Sequence, residues 1–339
     1  MRSLLVAPQW IGDAVMAQPL AALLAARGER VTALALPGVA AVLRAMPGIE
    51  QVVEAPLRHG HLDLRQRFRL ARELRARDFA RAYVLGNNLK SRLVPWLARI
   101  PERIGWSGEA AGALLTRALP AQRGSMRADM RTHYAALAAS DAHAGAAAEP
   151  SQPLLRVDPA SAAATAAQWG LQGEFVALCP GAEYGPAKQW PTAHYASLAR
   201  MAHGAGLRVA VLGSAREHDA AAAIARDADD AEVLDLCGRT SMAQAVELLA
   251  AAAGVVSNDS GLMHVAAALG RPTVGVYGST DPRHTPPAAH RSATLWLHLE
   301  CSPCFRRECP LGHLNCLRAL DPQWAWSVLR ELMQRPATD

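Results

Sequence analysis

Lysine is almost missing from this chain of 339 residues: of 35 basic side chains, 33 are arginine and two are lysine, Lys90 and Lys188. In a sequence that defaults to arginine, each retained lysine hints at a place that wants a compact ammonium. Aromatics are scarce at 5%, and no nucleic-acid-binding module is recognisable, which weighs against a nucleic-acid platform. No stretch approaches the roughly 18–20 uninterrupted apolar residues of a membrane span. The first apolar run, Ser3–Ala7, passes straight into polar and glycine positions, unlike a secretory core. The expectation is a cytoplasmic protein whose membrane contact, if any, is peripheral. No G-x-G-x-x-G follows an apolar strand, which argues against a nicotinamide enzyme, and there is no Walker A sequence.

What is present is globular. Half the chain is apolar (51%) and about a fifth is charged (19%), enough to bury two cores of ordinary domain size. The net charge of +5 is unevenly spread, with +8 over residues 1–150 and −3 over the remainder. A basic first half suggests an anionic partner there, or simply a solvated arginine-rich face.

Short apolar strands alternate with helices. In the first half, strands fall at Ser3–Ala7, Val31–Leu36 and Ala82–Leu85, with helices at Ala14–Arg27, after Gly38 and at Asn88–Ala98. The proline-rich, aperiodic segment Ala144–Pro153 reads as a linker. The alternation then restarts with strands at Phe175–Cys179, Arg208–Leu212, Gly254–Ser257 and Thr273–Val276. This pattern predicts an α/β protein with two doubly wound, Rossmann-like halves, residues 1–150 and 151–339, facing a cleft at the carboxyl ends of their sheets. The last helix could pack back on the first half.

Three loops carry candidate chemistry. Ser257–Gly270 runs from a buried strand through Asn-Asp-Ser-Gly into a helix whose free N–H groups suit a pyrophosphate, with Gly261 permitting close approach. Asp259 or Ser260 could equally be a plain N-cap, and His264 a ligand contact or a satisfied core histidine. Cys179-Pro-Gly-Ala-Glu-Tyr-Gly-Pro-Ala-Lys-Gln-Trp-Pro191 is a fixed loop whose Lys188 could neutralise a departing diphosphate or be an ordinary surface charge. In Pro8-Gln-Trp-Ile-Gly-Asp13, the carboxylate of Asp13 could take a proton from an acceptor hydroxyl or cap the next helix.

Together these loops resemble the ADP-heptose:lipopolysaccharide heptosyltransferases, glycosyltransferase family 9, which have the GT-B fold. The phrase around Lys188, with Ala82–Trp96 and Arg103–Gly108, is most similar to the type II branch. The resemblance implies an inverting transferase that requires no cofactor, with ADP-heptose as donor and the heptosylated Kdo–lipid A of the lipopolysaccharide inner core as acceptor. It sets Asp13 as base and Lys188 at the leaving group. The donor site would use Asp259, Ser260, Gly261, Leu262 and His264, with Glu183 and Tyr184 beside them. Gly12, Lys90, His59 and His61 are candidates for the anionic acceptor, held by a cytoplasmic enzyme peripheral to the inner membrane. Alternatives are a heptosyltransferase at another core position, another GT-B nucleotide-sugar transferase, or, more remotely, a metal-containing nucleic-acid-binding protein.

Two features stand outside that scheme. Cys301, Cys304, Cys309 and Cys316 have a spacing that leaves a structural metal, reduced thiols or disulfides open. Leu64–Arg77 places Leu64, Phe68 and Ala71 on one helical stripe opposite arginines. Such a helix can lie on anionic lipid, but it lacks tryptophan and its apolar face is narrow, so it reads as core-packed with a solvated basic face.

Overall fold

A computed structural model describes residues 1–57, 61–109, 111–120, 129–138, 151–229 and 231–336. Most of the linker segment and His59 lie outside these residues. The backbone separates into two compact units, Met1–Leu155 and Arg156–Asp339.

The first unit contains β1 (Arg2–Val6), α1 (Ile11–Met16), α2 (Gln18–Ala26), β2 (Arg30–Ala35), α3 (Pro37–Arg44), β3 (Ile49–Glu54) and α4 (Leu64–Arg75). It continues with β4 (Arg81–Val84), α5 (Leu89–Leu97), β5 (Glu102–Trp106), α6 (Ala111–Leu114), β6 (Arg117–Leu119) and α7 (Met130–Ala135). All pairings are parallel in the order β3-β2-β1-β4-β5-β6. Alternation along the strands explains the layers, because successive side chains point to opposite faces. Leu4 and Val6 join Leu70 and Leu74 of α4 and Val94 of α5 on one face. Leu5 joins Leu20 and Leu24 of α2 and Tyr134 of α7 on the other.

The predicted long helix after Pro8 is two helices, with Pro19 near the start of the second; proline is tolerated only in a first turn. The core face of α4 also differs from the predicted stripe. Leu70, Ala71 and Leu74 are buried, whereas Leu64 and Phe68 are 48% and 57% exposed.

The second unit contains α8 (Pro159–Gln168), β7 (Phe175–Cys179), α9 (Thr192–Gly204), β8 (Arg208–Val211), α10 (His218–Asp227), β9 (Val233–Asp235) and α11 (Met242–Ala251). Then come β10 (Gly254–Asn258), α12 (Gly261–Ala268), β11 (Thr273–Val276), β12 (Ser292–Leu295), α13 (Asn315–Arg318) and α14 (Pro322–Gln334). Its parallel sheet runs β12-β11-β10-β7-β8-β9, the same connectivity as the first. Ser241 and Gln244 form a capping box at α11, satisfying backbone donors reciprocally.

In each sheet the chain winds one way from the first strand and then returns to that strand's other side. The switch points are therefore β1/β4 and β7/β10, where adjacent strands send their loops apart and leave a crevice at the carboxyl edge. Three loops singled out from sequence leave β1, β7 and β10.

The last helix spends its apolar face inside the second unit: Ala325, Leu329 and Leu332 are buried in the core shared by β10, β11 and α9. Leu329 occupies the space over Gly254, where a Cβ would lie 2.9 Å from its Cδ1. Leu329→Ala should cost about 2–5 kcal/mol through lost burial and the residual cavity. Urea unfolding followed by circular dichroism checks this, and an unchanged midpoint would show that α14 contributes little to the core.

Candidate active site

At the second switch point β10 ends in Asn258, whose side chain is completely buried. Its Oδ1 accepts from Trp190 N at 3.1 Å and from the Tyr195 hydroxyl at 2.9 Å, and its Nδ2 donates to Pro180 O. One carboxamide thus ties both ends of the loop after β7 to the end of β10. Trp190 is buried and donates its ring N–H to Leu320 O at 3.1 Å, so it packs rather than stacks on a ligand.

Within this frame lies a short polar chain. Lys188, at the end of a 3₁₀ turn, places Nζ 2.6 Å from Asp259 Oδ2. The same oxygen accepts from Thr280 Oγ1 at 2.5 Å. His264 Nε2 lies 3.9 Å from Asp259 Oδ1. The Tyr184 ring sits beneath the ammonium at 5.2 Å, a cation–π arrangement. Lys188 and Asp259 side chains are only 14% and 5% exposed, so each needs the other or an equivalent ion. Burial, and then the Asp259 carboxylate, push the Tyr277 phenol well above its usual range.

Helix α12 starts at Gly261 with Ser260 in the N-cap position, yet no side chain caps its first turn. Ser260 Oγ is instead 3.1 Å from Ser257 Oγ, and Asp259 faces Lys188 and Thr280. The N-cap reading of these two residues therefore gives way: their side chains are engaged elsewhere. The arrangement offers an anion both an ammonium and helix N–H groups. Gly261 and Leu262 begin this helix and are half-buried.

A third layer braces the lysine loop. Ala187 N donates to Arg307 O at 3.0 Å and the Tyr184 hydroxyl to Phe305 O at 2.7 Å. Gly185 has φ of 150°, and a Cβ there would lie 2.6 Å from Arg307 O, so a side chain would break the contact. The bracing segment is the cysteine-rich one. Its thiols, like the other two in the chain, are unbonded, and no group of three or more His, Cys, Asp or Glu side chains among the described residues could hold a metal ion. The structural metal left open by the spacing thus finds no support here. Cys316 is buried in the core; burial, then the neighbouring thiols Cys301, Cys304 and Cys309, push it up. Cys309 is pulled down, chiefly by the Leu314 N–H pointing at its sulfur.

Glu183 stands apart, exposed and 2.6 Å from Arg216 in an ion pair.

At the first switch point, Asp13 lies in the first turn of α1. The N-cap position is Trp10, so Asp13 is not the cap. Its carboxylate reinforces the upward push that burial exerts on the Tyr134 phenol, and Gly12 precedes it in the same turn. Lys90 is the second residue of α5, which Asn88 caps through Ser91 N at 3.0 Å. Buried Arg92 welds the neighbouring loops: Nη2 donates to Asn87 Oδ1 at 2.7 Å and Trp106 O at 2.8 Å, and Nη1 to Glu109 O. His61 is exposed on a loop before α4.

Asn258, Thr280 and Arg92 were not singled out from sequence. Asn258 carried a signal, since an amide closing an apolar strand needs buried partners. Arg92 looked like any other arginine, and Thr280 comes from a loop after a different strand.

The family description "Glycosyltransferase family 9 (heptosyltransferase)" matches residues 67–315. The chain belongs to glycosyltransferase family 9. It is 36% identical to lipopolysaccharide heptosyltransferase 2 of Salmonella typhimurium, over 98% of this chain and 99% of that one. It is 37% identical to the protein of that name from Escherichia coli, over 98% and 97%. The solved structure of E. coli ADP-heptose lps heptosyltransferase II superposes with a TM-score of 0.86 at 33% identity, covering 98% of both chains. The family 9 chain is thus a glycosyltransferase with the two-domain α/β GT-B fold.

Asn258→Ala would strip partners from Trp190 N, Tyr195 and Pro180 O. It should cost at least about 2 kcal/mol, because buried groups left unpaired carry roughly 1–3 kcal/mol each. Thermal melting provides the check; an unaltered melting temperature would remove Asn258 as the tie.

Proposed function

We propose that this family 9 enzyme moves L-glycero-D-manno-heptose from ADP-heptose onto the heptosylated Kdo–lipid A of the lipopolysaccharide inner core, working at the cytoplasmic face of the inner membrane. Full-length similarity to proteins named lipopolysaccharide heptosyltransferase 2 supports the substrate pair. The observation that carries the chemistry is the Lys188–Asp259 contact of 2.6 Å beside the uncapped start of α12. A buried ammonium held by a carboxylate is already stripped of most of its water and can take a diphosphate oxygen as a further partner.

In this reading residues 1–150 hold the acceptor and residues 151–339 the nucleotide. The +8 of the first half suits the phosphates and carboxylates of the acceptor. Asp13 takes the proton from the acceptor hydroxyl, the oxygen bonds to the anomeric carbon, and the bond from that carbon to the diphosphate oxygen breaks, with inversion. One carboxylate suffices, since a single displacement needs no enzyme nucleophile. Lys188 and the first N–H groups of α12 receive the charge that grows on departing ADP. Asp259 keeps both Lys188 and Thr280 as donors while the ammonium also meets the diphosphate, and His264, Ser260, Gly261, Leu262 and Tyr184 complete the donor site. Lys90 and Gly12 are assigned to the acceptor in this reading, together with the candidates His59 and His61. No metal or cofactor is needed for these steps.

A donor panel tests the reading. Turnover with ADP-heptose should exceed that with UDP- or GDP-sugars on the same acceptor, and preference for another nucleotide would overturn it. Asp13→Ala should lower turnover by about 100-fold or more, the usual scale of base catalysis, while ADP affinity persists. Lys188→Ala should weaken ADP binding and slow transfer together, and Lys188→Arg should restore only part, because a planar fork does not reproduce an ammonium contact. Wild-type rates in either alanine variant would remove that residue from the chemistry.

A further inference from the structure

Away from the loops at the carboxyl edge, α4 and α5 enclose an open groove of about 990 Å³ on the first unit. Arg69, Arg72, Arg75, Arg99 and Arg103 line it, and no carboxylate does. None of these five is in an ion pair among the described residues. Arg69 bonds Gln66, Arg75 bonds Leu97 O, and Arg103 bonds Ile100 O and Leu114 O. Glu73, the one acidic residue of α4, is bound to Arg77 at 2.7 Å. Arg69, Arg72 and Arg75 recur every third residue, a spacing at which like charges repel along a helix. A merely solvated face would interleave signs to relieve that repulsion.

Two large rings stand on the same groove. Phe68 of α4 is 57% exposed and Trp96 of α5 is 44% exposed. The rotation of α4 that buries Leu70 and Leu74 leaves Phe68 outside, and the neighbouring helix supplies the tryptophan that α4 lacks. Arginine forks bind phosphate bidentately, and a tryptophan ring prefers the boundary between headgroups and acyl chains. The cations are spread around an open trough, three on α4, Arg99 in the turn after α5 and Arg103 on β5, which suits many headgroups better than one enclosed ligand.

We propose that this groove is a membrane-docking face that binds the surface of an anionic bilayer, with the arginines on lipid phosphates and Phe68 and Trp96 entering the interface. No helix among the described residues is long and apolar enough to cross a membrane, so a surface contact of this kind would hold the enzyme near a lipid acceptor. The proposal extends the reading of a membrane-bound acceptor, yet its test needs no turnover and so fails or succeeds separately from it.

The experiment is flotation of the full chain with vesicles of phosphatidylethanolamine containing about one-third phosphatidylglycerol, against phosphatidylcholine vesicles. Arg69→Gln, Arg72→Gln and Arg99→Gln are combined, because these three guanidinium groups hold no backbone carbonyl. The triple variant should lose on the order of 100-fold in partition to anionic vesicles, the scale expected for three basic side chains at a charged surface. Phe68→Ser with Trp96→Ser should weaken binding to the same vesicles while ADP affinity stays as in wild type. Wild-type partition in the triple variant would overturn the proposal, as would equal partition of the native chain to both vesicle types. Weakened calorimetric binding of a delipidated core oligosaccharide by the triple variant would also overturn it, by assigning the groove to the acceptor saccharide.

Discussion

A single buried carboxamide governs the geometry of the loops at the carboxyl edge of the second unit. Asn258 ends a strand that lies in the middle of its sheet, and its side chain bonds both ends of the loop that leaves the adjacent strand and Tyr195 of the helix that follows it. The loop contains glycines and prolines and has no regular ladder to hold it. Each bond contributes on the order of 1 kcal/mol net, but leaving its partners buried and unpaired would cost more. Because Trp190 is pinned through its backbone, Lys188 two residues earlier is delivered to Asp259, which follows Asn258 directly. The ion pair is therefore a consequence of the amide tie. Charge alone would not arrange it, since two long side chains lose entropy when held together.

The two units repeat one strand order on sequences with no visible repeat. Both place the loops singled out from sequence at the point where the winding reverses, yet the charges differ. The second unit sets one lysine balanced by an aspartate beside the uncapped N–H groups of a helix start. The first carries an excess of arginine, much of it used on backbone carbonyls: Arg67 holds Leu62 O and Lys90 O, and Arg92 holds Trp106 O and Glu109 O. Arginine has five donors in a fixed fork and can stitch several carbonyls at once. Part of the basic excess is thus internal wiring and part is free on the surface, a division that net charge cannot reveal.

Much of the fold could be read because its central strands are apolar and bounded by turn residues. Ser3–Ala7, Ala82–Leu85 and Phe175–Cys179 fall within a residue of their observed limits. The edge strands Ile49–Glu54, Val233–Asp235 and Ser292–Leu295 escaped, since their polar content and half-solvated position remove the apolar signal. The loops that carry Lys188, Asp259 and Asp13 were legible from their strand-loop-helix context. The roles of Thr280 and Arg92 were not, because each acts on residues distant in sequence through a contact that only the folded chain creates. The orientation of α4 failed for a simpler reason: with several leucines a few residues apart, two overlapping stripes fit the helical period, and packing chose the one through Leu70 and Leu74.

The cysteine-rich segment braces the lysine loop with main-chain atoms, the carbonyls of Phe305 and Arg307, rather than with side-chain chemistry. Such a brace is nearly blind to residue identity but strict about length. The segment can drift in composition, thiols included, and still present two carbonyls in place. An insertion or deletion of even one residue between Phe305 and Arg307 would change the spacing of the two carbonyls by a residue's span of about 3.3–3.8 Å, and the lysine loop would lose one of its supports.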